Sequence, residues 1–149
     1  MKKYELRKRD IKFRGISVIE LPPNYFHYGN LVVEPTHIGG TLENGGVKTF
    51  IRPTNNPNGV MFEVKKETVG QFTGLQDKNY EDIYEGDIVK LFAWPWSTFD
   101  RPYVVNWDDN GFTPFNEYCD NPDITGYPPA GNWCEVIGNV FKNPELLKK

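Results

Sequence analysis

YVVNWDDNGFTPF, residues 103–115, is the stretch that decides the fold. Two runs of aromatic and β-branched residues flank a polar turn, Asp108 to Gly111, and this pattern is typical of a β-hairpin. Similar runs recur along the chain between glycine, proline and asparagine residues. They predict further strands at 10–14, 25–33, 60–64, 68–75 and 133–141, and a turn that opens a strand within residues 83–91. Many short strands separated by turn signals indicate an all-β fold, either an antiparallel sandwich or a small barrel.

Three local patterns predict how these strands are connected and how the chain finishes. Asn44-Gly45 lies between Thr41-Leu42 and residues 47–51, and the Asn-Gly pair predicts a tight hairpin turn there. Residues 119–132 are rich in proline, glycine and asparagine and predict a long loop. Asn143-Pro144-Glu145 predicts a short helical turn, because asparagine suits a helix cap and proline suits the first helical position.

Length and composition limit the class of protein. The chain has 149 residues and a formal net charge of -3, with 10 Phe, 8 Tyr and 4 Trp, so one domain with a sizeable aromatic core is expected. No run of 18 apolar residues occurs, which predicts that no helix spans a membrane. The charged first residues lack the apolar stretch of a signal peptide. We therefore expect a cytoplasmic protein in which Cys119 and Cys134 are reduced.

Charge is distributed unevenly between the two halves of the chain. Residues 1–66 carry 11 basic and 6 acidic side chains, whereas residues 67–149 carry 6 basic and 14 acidic ones. The basic residues near the start form either a solvated strand face or a strip that pairs with the acidic half of the same or a neighbouring chain. The alternative is an arm that binds phosphate. Its candidate nucleic-acid contacts are Lys8, Arg9, Lys12 and Arg14. Strict alternation over residues 10–14 places Ile11 and Phe13 on one face and Lys12 and Arg14 on the other, which predicts a half-buried strand.

Aromatic residues are concentrated between residues 92 and 118, where nine occur in 27 positions. Most are expected in the core, but Trp94-Pro95-Trp96 lies in a predicted loop, and exposed indoles usually mark a contact surface. The candidate partner-binding residues are Trp94, Trp96 and Phe99. Because the segment carries more acidic than basic groups, it favours a protein partner or a second copy of the chain over single-stranded nucleic acid.

Motifs for catalysis, cofactors or metals are not recognisable, and we predict none of these sites. Two alternatives remain open. One is a carboxylate cluster, and the other is a histidine that activates a cysteine. The simpler reading places the carboxylates in a solvated acidic turn, with Asp77 and Asp87 accepting backbone hydrogen bonds. The residues of the two alternatives are Glu81, Asp82, Glu85 and Asp87, and His27 or His37 with Cys119 or Cys134.

Four blocks of sequence, residues 11–15, 67–79, 83–89 and 135–147, carry a resemblance to the YopX family of bacteriophage and prophage proteins. The resemblance implies a phage or prophage origin and one β-rich domain over residues 1–149 that includes a small SH3-like barrel. Residues 1–66 would supply basic N-terminal strands and residues 67–149 an acidic, barrel-like half. The family has no established activity, so no residue roles follow from it.

The chain departs from the family pattern in two respects. Tyr80 stands where the family usually has glycine, and residues 35–60 and 92–132 are longer than the pattern requires. We predict a non-catalytic protein of the bacterial cytoplasm that forms homo-oligomers or binds an unknown host or phage protein. The alternative is a nucleic-acid-binding small-barrel accessory protein of phage development.

Overall fold

A computed structural model of the chain describes residues 10–19, 22, 25–38, 41–56, 58–92, 98–108, 111–115 and 134–148. Within these ranges the chain is built almost entirely of β-strands, which confirms the predicted all-β class. The strands are β1 Phe13–Ile16, β2 Phe26–Ile38, β3 Thr41–Arg52, β4 Phe62–Glu63, β5 Gly70–Gln76, β6 Asp82–Tyr84, β7 Asp87–Phe92, β8 Thr98–Asp108, β9 Gly111–Phe115 and β10 Cys134–Asn139.

The first six strands form one sheet in the order β4-β3-β2-β1-β5-β6. Strand β1 lies in its centre and pairs antiparallel with both neighbours, since Arg14 is opposite Tyr28 of β2 and opposite Gly70 of β5. The sheet therefore takes its last two strands from the acidic part of the sequence, beyond residue 66.

The other four strands form a second antiparallel sheet in the order β10-β7-β8-β9. The hairpin predicted from residues 103–115 is confirmed, with Trp107 opposite Phe112 and Asp108 opposite Gly111. The described strands make two open sheets and close no barrel.

The chain passes from one sheet to the other at the turn Glu85-Gly86. Gly86 has φ +82°, which side chains rarely adopt, so glycine suits this turn. The core crosses the same boundary, because Ile83 of the first sheet packs in one buried cluster with residues of the second sheet. Those residues are Val89, Tyr103, Val105 and Cys134.

The hairpin turn predicted at Asn44-Gly45 is wrong. These residues lie inside β3, which pairs with β2 from Asn30–Arg52 as far as Ile38–Thr41. The register shifts between the pairs Pro35–Val47 and His37–Leu42, so Asn44 and Gly45 belong to an irregularity of the strand. Glycine in a strand often marks such a bulge, and the long pairing with β2 outweighs the local turn preference.

The predicted C-terminal helical turn is confirmed as a 3₁₀ turn over Pro144–Leu147, with proline at its start. The side chain of Asn143 does not cap it. Instead, Asn143 Oδ1 accepts a hydrogen bond from the backbone N–H of Asn139 at 3.3 Å and fastens the turn to β10. Helices of membrane-spanning length and apolarity are absent from the described part of the chain.

Candidate ligand cavity

An open cavity of about 750 Å³ lies where β1 and β2 of the first sheet meet the end of β10. The turn after β5 forms its rim. Three cationic side chains, three carboxylates and four aromatic rings line the cavity. The cations are Lys12, Arg14 and Lys142, the carboxylates are Glu81, Asp82 and Asp87, and the rings are those of Phe26, Tyr28, Tyr80 and Tyr84.

A buried ion pair joins the two sheets at the base of the cavity. Arg14 of β1 is only 6% exposed, and its Nη2 atom lies 2.5 Å from Oδ1 of Asp87 in β7. The same nitrogen donates to the backbone carbonyl of Glu85 at 3.2 Å. The guanidinium carbon lies 4.6 Å from the centroid of the Phe26 ring and 4.8 Å from that of Tyr84. Arg14 is thus held by charge, hydrogen bonds and aromatic faces at once.

The carboxylate of Asp87 has further partners. Its Oδ2 accepts the backbone N–H of Tyr84 at 2.8 Å, and Asn139 Nδ2 lies 3.4 Å from its Oδ1. Burial raises the pKa of Asp87, while the charge of Arg14 and these hydrogen bonds act in the opposite direction. Since Asn139 also donates to the Gly86 carbonyl at 2.9 Å, β7, β10 and the crossing turn are tied together around this one carboxylate.

Lys12 lies just before β1 on the same face as Arg14. Its ammonium group pairs with Asp82 of β6 and lies 4.2 Å from the centroid of the Phe72 ring. Gln76 Nε2 donates to the other oxygen of Asp82 at 3.1 Å. Glu81, the neighbour of Asp82 in the sequence, also lines the cavity, so this side carries no excess of positive charge.

Lys142 brings a third cation to the opposite side. Two backbone hydrogen bonds to the Asn139 carbonyl, from the N–H groups of Lys142 at 3.1 Å and Asn143 at 2.8 Å, fix the turn that carries it. Its ammonium nitrogen lies 4.5 Å from the centroid of the Phe26 ring, which Arg14 also contacts. Burial lowers the pKa of Lys142, and the charge of Arg14 lowers it further.

Aromatic rings form the wall between the cations. Tyr28 and Tyr84 meet edge to face with centroids 5.6 Å apart, and Phe72 lies 5.5 Å from Tyr84. Burial raises the pKa of both tyrosines, so both hydroxyl groups are protonated at neutral pH. The side chain of Tyr28 remains 50% exposed.

Tyr80 lies at the rim and has an unusual backbone. Its φ of 65° is the only positive value among the described non-glycine residues, and the residue is 81% exposed. Sequence comparison with the family pattern singled out this position, and the conformation explains why glycine suits it.

The turn that carries Tyr80 is organised by Asp77, as predicted from its residue type. Asp77 Oδ1 accepts the backbone N–H groups of Asn79 at 2.7 Å and Glu81 at 3.0 Å, and Oδ2 accepts that of Val136 at 3.0 Å. Burial alone would raise the pKa of Asp77, but these hydrogen bonds together hold it below its ordinary value.

Lys12 and Arg14 share one face of the chain, as the alternation over residues 10–14 predicted, but this face is not a solvated one. Ile11 is exposed, whereas Lys12 and Arg14 point to the cavity and pair with Asp82 and Asp87. The physical reason is that β1 lies in the centre of its sheet, where two acidic residues of the later strands compensate its polar face. Pairing of the basic segment with the acidic half of the same chain, one of the two simple expectations, is confirmed for these two residues.

Other predicted site residues lie partly beyond the described structure. Lys8, Arg9, Trp94 and Trp96 are outside the described residues, as are Cys119 and the loop 119–132. Phe99 belongs to β8, and its side chain is outside the described part. Their predicted roles in binding remain predictions.

Among the side chains that the structure describes, which exclude those of His37 and Cys119, the two catalytic alternatives acquire no shared geometry. His27 stacks on Phe62 with centroids 3.9 Å apart in the first sheet, while Cys134 is buried in the second. Burial raises the pKa of the Cys134 thiol to about 11, which leaves it protonated at neutral pH. Among the four carboxylates, Asp82 and Asp87 have separate cationic partners, and the described residues contain no group of three or more metal-ligand side chains.

Reasoning from the sequence missed several cavity residues. Phe26 and Tyr28 were read as parts of a strand and Tyr84 as part of a turn, and Lys142 was assigned to no element. A signal was present only for Tyr84, which is two residues from Asp82 and three from Asp87. The approach of Lys142 to Phe26 joins residues 116 positions apart, and no local pattern predicts it.

Comparison with known proteins establishes the family. The YopX protein family model matches residues 38–148, and the chain belongs to this family. Among solved structures, the chain is similar to protein EF1440 from Enterococcus faecalis, with 24% identity and a TM-score of 0.47 over 95% of this chain and 100% of that one. Curated protein sequences give no match.

Proposed function

We propose that the protein acts without catalysis, in the cytoplasm of a bacterial host, by binding further copies of itself through the hairpin of β2 and β3. The observation that supports this proposal is an exposed apolar strip on one face of the hairpin. It is formed by Val33, Pro35 and Val47, and we call it the arm strip.

The arm strip lies on the same face of the hairpin as buried residues of β3 and extends that face into solvent. Residues directly opposite in antiparallel strands share a face, so the pairs Leu31–Ile51, Val33–Thr49 and Pro35–Val47 lie on the same side. Ile51 and Thr49 are buried, but Val33 is 53% and Val47 49% exposed. An apolar face that begins in the core and continues into solvent is typical of an interaction surface.

The edges of the hairpin support the same proposal. Strand β1 pairs with β2 only as far as Gly29, and β4 pairs with β3 only at Phe50 and Ile51. Beyond these points the described strands leave both edges of the hairpin open. A two-stranded hairpin is marginally stable alone, and each copy presents the same open edges and the same strip. A second copy related by a twofold axis can therefore cover the strip with its own strip, because a twofold interface pairs the same surface of both copies.

The opposite face of the hairpin is charged and supplies a matched control. Glu34 lies across from Lys48, and Lys48 Nζ pairs with Glu63 Oε2 at 3.0 Å. Light scattering behind size-exclusion chromatography, at low and high salt, tests the proposal. We expect an oligomer whose mass survives high salt, because apolar contacts are not screened. Val47→Asp should yield a monomer, whereas Glu34→Gln should keep the oligomer.

Two results would overturn this proposal: a monomer of the wild-type chain in both salts, or an unchanged mass for Val47→Asp. The nucleic-acid alternative has less support, since Lys12 and Arg14 already have carboxylate partners within the chain. If nucleic acid alone shifted the mass and the shift vanished at high salt, that alternative would take precedence.

A further inference from the structure

We propose that the cavity between β1, β2 and β10 binds a small molecule that carries an anionic group next to a planar ring. This site is independent of the β2–β3 arm strip, so either proposal can fail without the other. Its volume of about 750 Å³ lies within the range of roughly 300–1,000 Å³ that small-molecule sites occupy.

The charge around Phe26 indicates an anion. Arg14 and Lys142 both contact this ring, and Asp87 is the carboxylate paired with Arg14. Over the whole lining three cations face three carboxylates, but Asp82 pairs with Lys12, and Glu81 is the neighbour of Asp82 in the sequence. Around Phe26, two cations and one carboxylate leave one positive charge in excess locally. Within the described residues Lys142 has no carboxylate partner at ion-pair distance, and its charge is held close to that of Arg14. An incoming carboxylate or phosphate would supply the missing negative charge.

The aromatic wall indicates a planar ring. Tyr84 is buried by its neighbours, but Tyr28 leaves half of its surface open toward the cavity side of β2. Tyr80 stands at the rim with its ring almost wholly exposed and its backbone in the left-handed region. Burial does not hold it there, and strained exposed residues of this kind cluster at ligand sites. Two tyrosine rings beside a positive group suit a flat ligand ring attached to an anion.

The anionic group can come from a phosphate or a carboxylate, and isothermal titration calorimetry distinguishes these sources. The probes are adenosine 5′-monophosphate, which carries a phosphate, and indole-3-acetate, which carries a carboxylate. Adenosine serves as a control with the ring alone, and inorganic phosphate as a control with the anion alone. We expect saturable binding of at least one ring-bearing anion. Adenosine and phosphate should each bind about tenfold more weakly or worse, because each lacks one of the two contacts.

Variants connect the binding to the cavity. Lys142→Gln should weaken binding of the ring-bearing anion about tenfold, as expected for loss of a charge-assisted contact. Lys148→Gln, which removes a lysine outside the cavity lining, should leave binding unchanged. Tyr80→Gly should weaken binding while the protein stays folded. The proposal is overturned if neither anion binds saturably, if adenosine binds as tightly as its monophosphate, or if the two lysine variants behave alike.

Discussion

At the scale of single residues, Tyr80 predicts a substitution that stabilises the protein. Its φ of 65° disfavours a side chain, and its exposed ring buries little apolar surface. Tyr80→Gly should therefore raise the free energy of unfolding by about 0.5–1 kcal/mol. The variant relieves the strain of the left-handed conformation, and part of this gain is offset because glycine gives the unfolded chain more conformational freedom. Urea unfolding measures the change. Glu81→Gly, one residue on at an ordinary φ, should lower stability instead, and equal effects would contradict the explanation.

Asp77 predicts a pH dependence of stability. Its pKa is depressed in the folded protein by three backbone N–H donors. The stability that it contributes is therefore present above its unfolded pKa of about 3.9 and is lost as the pH falls through the lower, folded value. Asp77→Asn should cost about 2 kcal/mol at pH 7.

Urea titrations of this variant at pH 7 and near pH 3 give the comparison. The difference from the wild-type chain should shrink at the lower pH, because the unfolded wild-type chain then binds a proton at Asp77 and the folded carboxylate loses part of its stabilising effect. Asp10→Asn, at an exposed position, should change stability little at either pH. A difference that stays constant with pH would assign the loss to packing rather than to the carboxylate.

At the scale of elements, Gly70 determines how closely β5 approaches the crossing turn. A Cβ atom at this position would lie 2.4 Å from the Glu85 carbonyl oxygen, a backbone atom that cannot rotate away. Gly70→Ala should therefore destabilise the protein by about 2 kcal/mol through displacement of the turn. Thermal unfolding followed by circular dichroism tests this, with Gln71→Ala on the same strand as the control. A Gly70→Ala variant as stable as that control would show that the turn adapts.

Local patterns predicted most elements but not their partners. The strands from β5 to β10 follow from aromatic and β-branched runs between turn residues, because both signals act over a few positions. The hairpin turn predicted at Asn44-Gly45 was wrong, because the turn preference of this pair is weaker than the pairing of β2 with β3. The alternation near β1 defines two faces of the strand, but which one is buried depends on Asp82 and Asp87, far along the chain.

At the scale of the whole molecule, the Arg14–Asp87 pair is the polar link between the sheets. Arg14→Met leaves a buried carboxylate without its cation and should lower the free energy of unfolding by about 3–5 kcal/mol. Asp87→Leu should cost the same amount, because it leaves the buried guanidinium without its carboxylate. The double variant removes both charges and should lose clearly less than the sum of the two losses. Urea unfolding of the four proteins measures the coupling. Additive losses would mean that the pair contributes no interaction of its own.

The central place of β1 has a consequence for how the protein is made. The strand near the start of the chain is flanked by β2 and β5, its arginine needs Asp87, and that carboxylate is held in turn by Asn139. A ribosome therefore releases the first strand long before its last partner is synthesised. Arg14 has no native carboxylate partner until Asp87 is synthesised, and the two sheets can pack together only after β10 has emerged.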